Sequence, residues 1–247
     1  MRLKAVIAYD GTDYHGWQIQ KNHPTIQSTL QDCLQHICGQ PVDLTGAGRT
    51  DSGVHAYGQV AHFDWDHELQ IDKLIMGINA ILPSDIRVLE LNEADAGFHA
   101  RFDAKSKTYL YRINRSRFPS PFHSRYSLHY RHSLDESALA DSAKILQGEH
   151  DFAAFQATGT DVVSTVRTIH SVEIFQAETD QTLFLYVRIH SNGFLRKMAR
   201  MVVGTVLEIA SGKRPFEDLS NALKTADRRY VGVPAPARGL FLEKVFY

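Results

Sequence analysis

Asp51 is the residue whose neighbours best equip it for chemistry. It stands two positions after Arg49 in the run Gly46-Ala47-Gly48-Arg49-Thr50-Asp51-Ser52-Gly53-Val54-His55, so one turn carries a carboxylate, a guanidinium and three glycines. Glycine takes backbone angles closed to other residues and lets a second molecule approach the main chain. Such a turn can present an acid to a substrate instead of burying it. Two familiar uses of a glycine-rich run fail here. A phosphate loop needs Lys and then Ser or Thr after its last glycine, and Val54 and His55 stand there. A dinucleotide fingerprint needs G-x-G-x-x-G, and Asp51 stands where the spacing asks for the third glycine. Two readings stay open: a reactive or ligating Asp beside an Arg, or a tight turn in which Asp51 caps backbone amides.

Other chemistries find little support. The 13 histidines are scattered, with no His/Cys cluster at metal-ligand spacing. His15 and His55 are candidate hydrogen-bonding residues, while His62, inside a strand pattern, reads as a satisfied core histidine. Cys33 and Cys38 are the only cysteines and fit one helix, too few for a disulfide scaffold. No apolar run approaches membrane-spanning length, and the start of the chain does not read as a secretory leader. The 27 basic and 28 acidic residues give a net charge of −1, which argues weakly against a nucleic-acid partner. The charges are unevenly spread, however. Arg101, Lys105, Lys107, Arg112, Arg115, Arg117, Arg125 and Arg131 are opposed within their segment only by Asp103, and residues 181–207 carry Arg188, Arg196, Lys197 and Arg200 with no acid. Acids gather elsewhere, as at Asp64, Asp66 and Glu68. Either the acid-poor stretches make an electropositive face or they are ordinary surface basicity.

The elements that must position Asp51 follow from periodicity. Residues 3–9 read as a strand. Ile26, Leu30, Leu34 and Ile37 mark a helix that Gly39 can end. Residues 42–45 read as a short strand entering the glycine turn, and 57–65 as the strand leaving it. Ile71, Leu74, Ile75 and Ile78 mark a second helix, stopped before Pro83, and 86–91 return as a strand. The second half repeats this order. Residues 108–114 form a strand with Tyr109 and Tyr111 on one face. Ser133 and Glu136 have capping-box spacing at the start of a helix closed by Gly148. Residues 163–175 and 182–190 read as a hairpin. A helix spans 194–210, a shorter one 216–226, and 240–246 is the last strand. Along the long helix Arg196, Arg200 and Gly204 fall at i, i+4 and i+8 on one stripe. The expected fold is α+β, with two split β-α-β halves at 1–104 and 105–247.

The Gly46–Ala56 run with Gly58-Gln59-Val60 resembles the signature of the tRNA pseudouridine synthases of the A type. The likeness extends to Tyr9-Asp10-Gly11-Thr12, Tyr14-His15-Gly16-Trp17-Gln18, Phe98-His99-Ala100-Arg101-Phe102, Lys107-Thr108-Tyr109, and Asn192-Gly193-Phe194 through Met198-Ala199-Arg200 and Val203-Gly204. Their order and spacing make the match specific. The resemblance implies two ferredoxin-like domains with sheets meeting at a central cleft. It also implies isomerisation of uridine to pseudouridine at positions 38, 39 and 40 of the tRNA anticodon stem-loop, by a cytoplasmic homodimer. That reaction moves the sugar from uracil N1 to C5 and needs no metal or cofactor. The family's essential Asp maps to Asp51, as nucleophile at the sugar or the base or as the group that takes a sugar proton, its active-site Arg to Arg200 as the partner of that carboxylate, and its Tyr to Tyr109, which can stack on an extruded base. Arg49, Arg101 and Lys107 are further candidates for holding RNA, largely by its phosphates. The Tyr14–Trp17 loop either inserts near a stem-loop or packs on its own domain. Two other functions fit the same residues: a non-catalytic RNA-binding or chaperone module with a structural Asp51, and a hydrolase that frees the base.

Overall fold

The computed structural model describes residues 1–67, 70–159 and 162–247; Glu68 of the acidic cluster lies outside them. The chain separates into two compact units, Met1–Lys105 with Phe241–Tyr247, and Ser106–Leu240. Both mix helices with mostly antiparallel strands.

The first unit runs β1 (Arg2–Tyr9), α1 (Ile26–Cys38), β2 (Thr45–Gly46), β3 (His55–Asp64), α2 (Ile71–Ile81) and β4 (Ile86–Ala94). Strand β1 lies between β3 and β4, antiparallel to both, and β2 pairs with β3. Alternation along β1 buries Leu3, Ala5, Ile7 and Tyr9 and leaves the intervening residues partly open. Helix α1 contributes Ile26, Leu30, Cys33 and Leu34 to the core, and α2 contributes Leu74 and Ile78. Burying each large aliphatic side chain contributes about 1.5–3 kcal/mol, so these stripes decide which faces turn inward. Thr25 caps α1 through a reciprocal bond with Ser28, and Gly39 ends it at φ 76°. Helix α2 stops at Leu82, next to Pro83, as the sequence leads one to expect.

The second unit contains β5 (Ser106–Asn114), β6 (Leu128–His129), α3 (Glu136–Leu146), β7 (Gly148–Asp151), β8 (Val166–Thr179), β9 (Thr182–Ser191), α4 (Met198–Ala210) and α5 (Glu217–Thr225). Strands β8 and β9 form the expected hairpin, extended to Thr179, and β9 also pairs with β5. The short strands β6 and β7 have too few residues to show a period and were not expected. The cap of α3 differs from the sequence reading: Asp135, not Ser133, accepts from the Ser137 and Ala138 amides. Helix α4 also begins later than expected. Lys197 takes a left-handed φ of 63°, so the helix starts at Met198, and Phe194 and Arg196 precede it. Arg196 therefore does not share a helical stripe with Arg200. The last strand, β10 (Leu240–Phe246), lies parallel to β3, with Phe241 opposite His55 and Leu242 opposite Ala56.

Candidate active site

The Asp51 turn is clamped from two sides within the first unit. On the β3 side, the Ala47 amide donates to the Val60 carbonyl at 2.7 Å, and the fully buried Gln59 donates to the Gly48 carbonyl at 2.9 Å. On the other side lies the segment that follows β1. The Trp17 amide donates to the Thr50 carbonyl at 3.1 Å, the Gly53 amide to the Tyr14 carbonyl at 3.3 Å, and the Ser52 hydroxyl to that same carbonyl at 3.2 Å. The hydroxyls of Tyr9 and Thr50 meet at 2.8 Å, both buried. The Val54 amide closes the turn on the Asp51 carbonyl at 3.1 Å. Asp51 itself is half-exposed between a buried Thr50 and an exposed Ser52. The backbone that carries Asp51 is thus hydrogen-bonded on both flanks.

Close approach explains two of the glycines. A Cβ on Gly16 would stand 2.5 Å from the Thr50 carbonyl oxygen, and the residue has φ 87°. A Cβ on Gly46 would stand 2.5 Å from the Trp17 indole. Tyr14 and Trp17 are buried, so this loop packs on its own unit; only His15, set against His23 with ring centroids 4.2 Å apart, is exposed. Behind the turn, His55 is 1 % exposed and accepts the Gly11 amide on Nδ1 at 3.1 Å. The same Nδ1 lies 3.1 Å from an Asp10 carboxylate oxygen. His62 is the satisfied core histidine expected, accepting the Ala100 amide on Nδ1 at 3.1 Å.

The second unit assembles the aromatic and cationic candidates. Tyr109 is buried on β5, edge-on to Phe194 at 4.7 Å between centroids. Tyr111, two residues along the same face, is wholly buried and donates its hydroxyl to the Pro236 carbonyl at 2.8 Å. Burial pushes that phenol well above its ordinary range. Arg200, in the first turn of α4, donates from Nε to the Ala235 carbonyl at 2.7 Å, while the Ala235 amide returns a bond to the Arg200 carbonyl at 2.9 Å. One turn on, Gly204 lies against the Val233 backbone, and the buried Thr205 hydroxyl accepts the Gly232 amide at 3.0 Å. The 232–236 segment therefore touches α4 at Arg200 and β5 at Tyr111.

The remaining candidates are more dispersed. Arg49 is exposed on the Asp51 turn. Arg101 is exposed in the turn after Phe98, its guanidinium 5.7 Å from the Phe102 ring. Lys107 is half-buried on β5, on the face shared by Tyr109. Some cations of the acid-poor stretches hold structure: Arg115 donates to the Tyr130 and His132 carbonyls, and Arg188 pairs with Glu173 at 3.0 Å. Tyr9, Thr50 and Gln59 support the turn without being among the residues that the sequence points to. A buried-type strand pattern interrupted by a Gln at position 59 was the available signal.

The family model for tRNA pseudouridine synthase matches residues 5–103 and 142–247. A protein of Ruminiclostridium cellulolyticum named tRNA pseudouridine synthase A is 42% identical over 246 residues, covering 100% of this chain and 99% of that protein. Proteins of the same name from a Geobacillus species and from Syntrophotalea carbinolica are 40% and 42% identical, with 100% and 99% of this chain and 98% and 96% of theirs covered. A match that spans both units and relatives aligned end to end establish that the chain belongs to the tRNA pseudouridine synthase family.

Proposed function

We propose that this protein is an isomerase that converts uridine to pseudouridine in tRNA. The observation that carries this reading is the end-to-end similarity to proteins named for that reaction. The reaction breaks the bond from uracil N1 to the ribose and joins C5 to the same sugar carbon. The C5 proton is lost and N1 gains one, so nothing is oxidised and no group leaves permanently. In this reading Asp51 is the nucleophile. The hydrogen-bonded flanks of its turn support the role, because a reacting group gains from being positioned in advance. Its charge must persist in a partly dehydrated site, where desolvation favours protonation, so a cation is required beside it. Arg200 is that cation in this reading, supported by its match to the family's motif. Tyr109 stacks on the extruded base, supported by its place beside Phe194 on a rigid strand. Arg49, Arg101 and Lys107 hold the RNA backbone.

The finer parts of the reading are two ferredoxin-like domains, the anticodon stem-loop with positions 38 to 40 as targets, a homodimer and a cytoplasmic location. The strand order β4-β1-β3 of the first unit, with β2 paired to β3 and two helices, supports the domain assignment. The test is tritium release from tRNA carrying 5-tritiated uridine, followed by mapping of the modified positions. The proposal expects tritium in water and pseudouridine in the anticodon arm. Free uracil in the products identifies a hydrolase instead, and RNA remodelling without tritium release identifies a chaperone.

A further inference from the structure

Beside the Asp51 turn stands an exposed ring that no step so far uses. Tyr57 lies on β3 between His55 and Gln59, at a bulge: Ile7 of β1 faces Gln59 while Tyr9 faces Ala56, so β3 carries one extra residue there. His55 accepts the Gly11 amide behind the turn, and Gln59 donates to Gly48 within it. The bulge leaves Tyr57 exposed between His55 and Gln59, both of which are buried. Its ring lies parallel to Phe241 of β10, with centroids 4.7 Å apart and planes 8° off. Phe241 in turn stacks on His55 at 4.7 Å and 24°. The result is a column of three rings whose inner two members are buried, while Tyr57 is 45 % exposed. A ring with one face covered by a stacked neighbour and the other turned to solvent is a platform for one more flat ring. The packing beneath it has already removed the conformational freedom that a free tyrosine would lose on binding.

We infer that Tyr57 is a stacking platform for a nucleobase of the tRNA, one bound beside the target uridine and not the uridine itself. The inference rests on the proposed tRNA substrate, because stacking on an aromatic face needs a base that is unstacked from its own helix. It assigns Tyr57 to binding and positioning, with no part in bond breaking.

The experiment compares the unmodified protein with Tyr57→Phe, Tyr57→Trp, Tyr57→Leu and Tyr57→Ala. Dissociation constants for tRNA are measured beside single-turnover tritium release at saturating tRNA. Loss of a stacked ring weakens binding by about 5- to 150-fold. The Leu and Ala variants should show that loss mainly in the dissociation constant, and Phe and Trp should restore affinity. Because Trp17 and Trp65 are buried, an added tryptophan at 57 gives a separate signal, which bound tRNA should quench. Leu and Ala variants that bind as the unmodified protein does, or an added tryptophan whose emission ignores saturating tRNA, overturn the inference. If tritium is released normally and only these results fail, the isomerase reading stands and the platform falls. If no tritium is released but affinity still follows the ring, the platform stands as an RNA contact and the isomerase reading falls.

Discussion

The Tyr9 and Thr50 hydroxyls stand 2.8 Å apart in the buried interior of the first unit, and the residue after Thr50 is Asp51. Strand β1 thus reaches the proposed nucleophile through one hydrogen bond and one peptide unit. Burial holds the Tyr9 phenol protonated far above its ordinary range, so the bond persists across any workable pH.

Removing that hydroxyl separates stability from catalysis. Tyr9→Phe leaves the Thr50 hydroxyl short of a buried partner and should cost about 1–3 kcal/mol in urea unfolding. The single-turnover rate should fall severalfold while the dissociation constant for tRNA stays close to that of the unmodified protein. An unchanged rate would show that the turn does not depend on this bond.

Gly16→Ala should be more severe. The new Cβ would press on the Thr50 carbonyl, and the left-handed φ of 87° disfavours any side chain. Such strain costs on the order of 1–3 kcal/mol. Both melting temperature and tritium release should drop, because the displaced atom is the carbonyl immediately before Asp51.

Gly204→Ala reverses the usual helix rule. In an exposed helix interior, Ala is favoured over Gly by about 1 kcal/mol. Here the Cβ would overlap the Val233 carbonyl oxygen, so the substitution should destabilise and push the 232–236 segment off α4. Calorimetry should show a lower melting temperature. A raised one would mean that the segment yields without cost.

Two histidines set a pH dependence of stability. Burial lowers the pKa of His62 first, helped by Arg2 and His99, and burial then His170 lower that of His190. A histidine whose folded pKa is depressed takes up its proton more readily when unfolded. Its stabilising contribution is full above the unfolded value of about 6.5, shrinks as pH falls below it, and levels off below the folded pKa. Melting temperature should therefore decline from pH 7 toward pH 5. His62→Gln and His190→Gln should flatten that slope, whatever their effect at pH 8.

The sequence carried the local features well and the tertiary ones poorly. Helix α1 was readable because its apolar spacing and Gly39 act within one turn of each other. The Asp51 turn was readable because glycines and a flanking Arg announce it. The start of α4 was not, because the apolar pattern continues back through Phe194 while Lys197 breaks the backbone and Phe194 turns to Tyr109. The cap of α3 was misplaced by two residues because Ser133 has the right spacing and Asp135 the better acceptor. The supports of Asp51 were hidden for a different reason. Tyr9 and Thr50 are 41 residues apart, and only the pairing of β1 with β3 brings them together.

Replacement of the acid itself is the most direct measurement. Asp51→Asn and Asp51→Ala keep the volume small at a half-exposed position and should leave the fold and tRNA affinity intact. Single-turnover tritium release should fall on the order of 10⁴-fold or more, the scale seen when a nucleophile is removed. Release at a rate close to that of the unmodified protein, with tRNA still bound, would contradict the assignment of Asp51 as the reacting group.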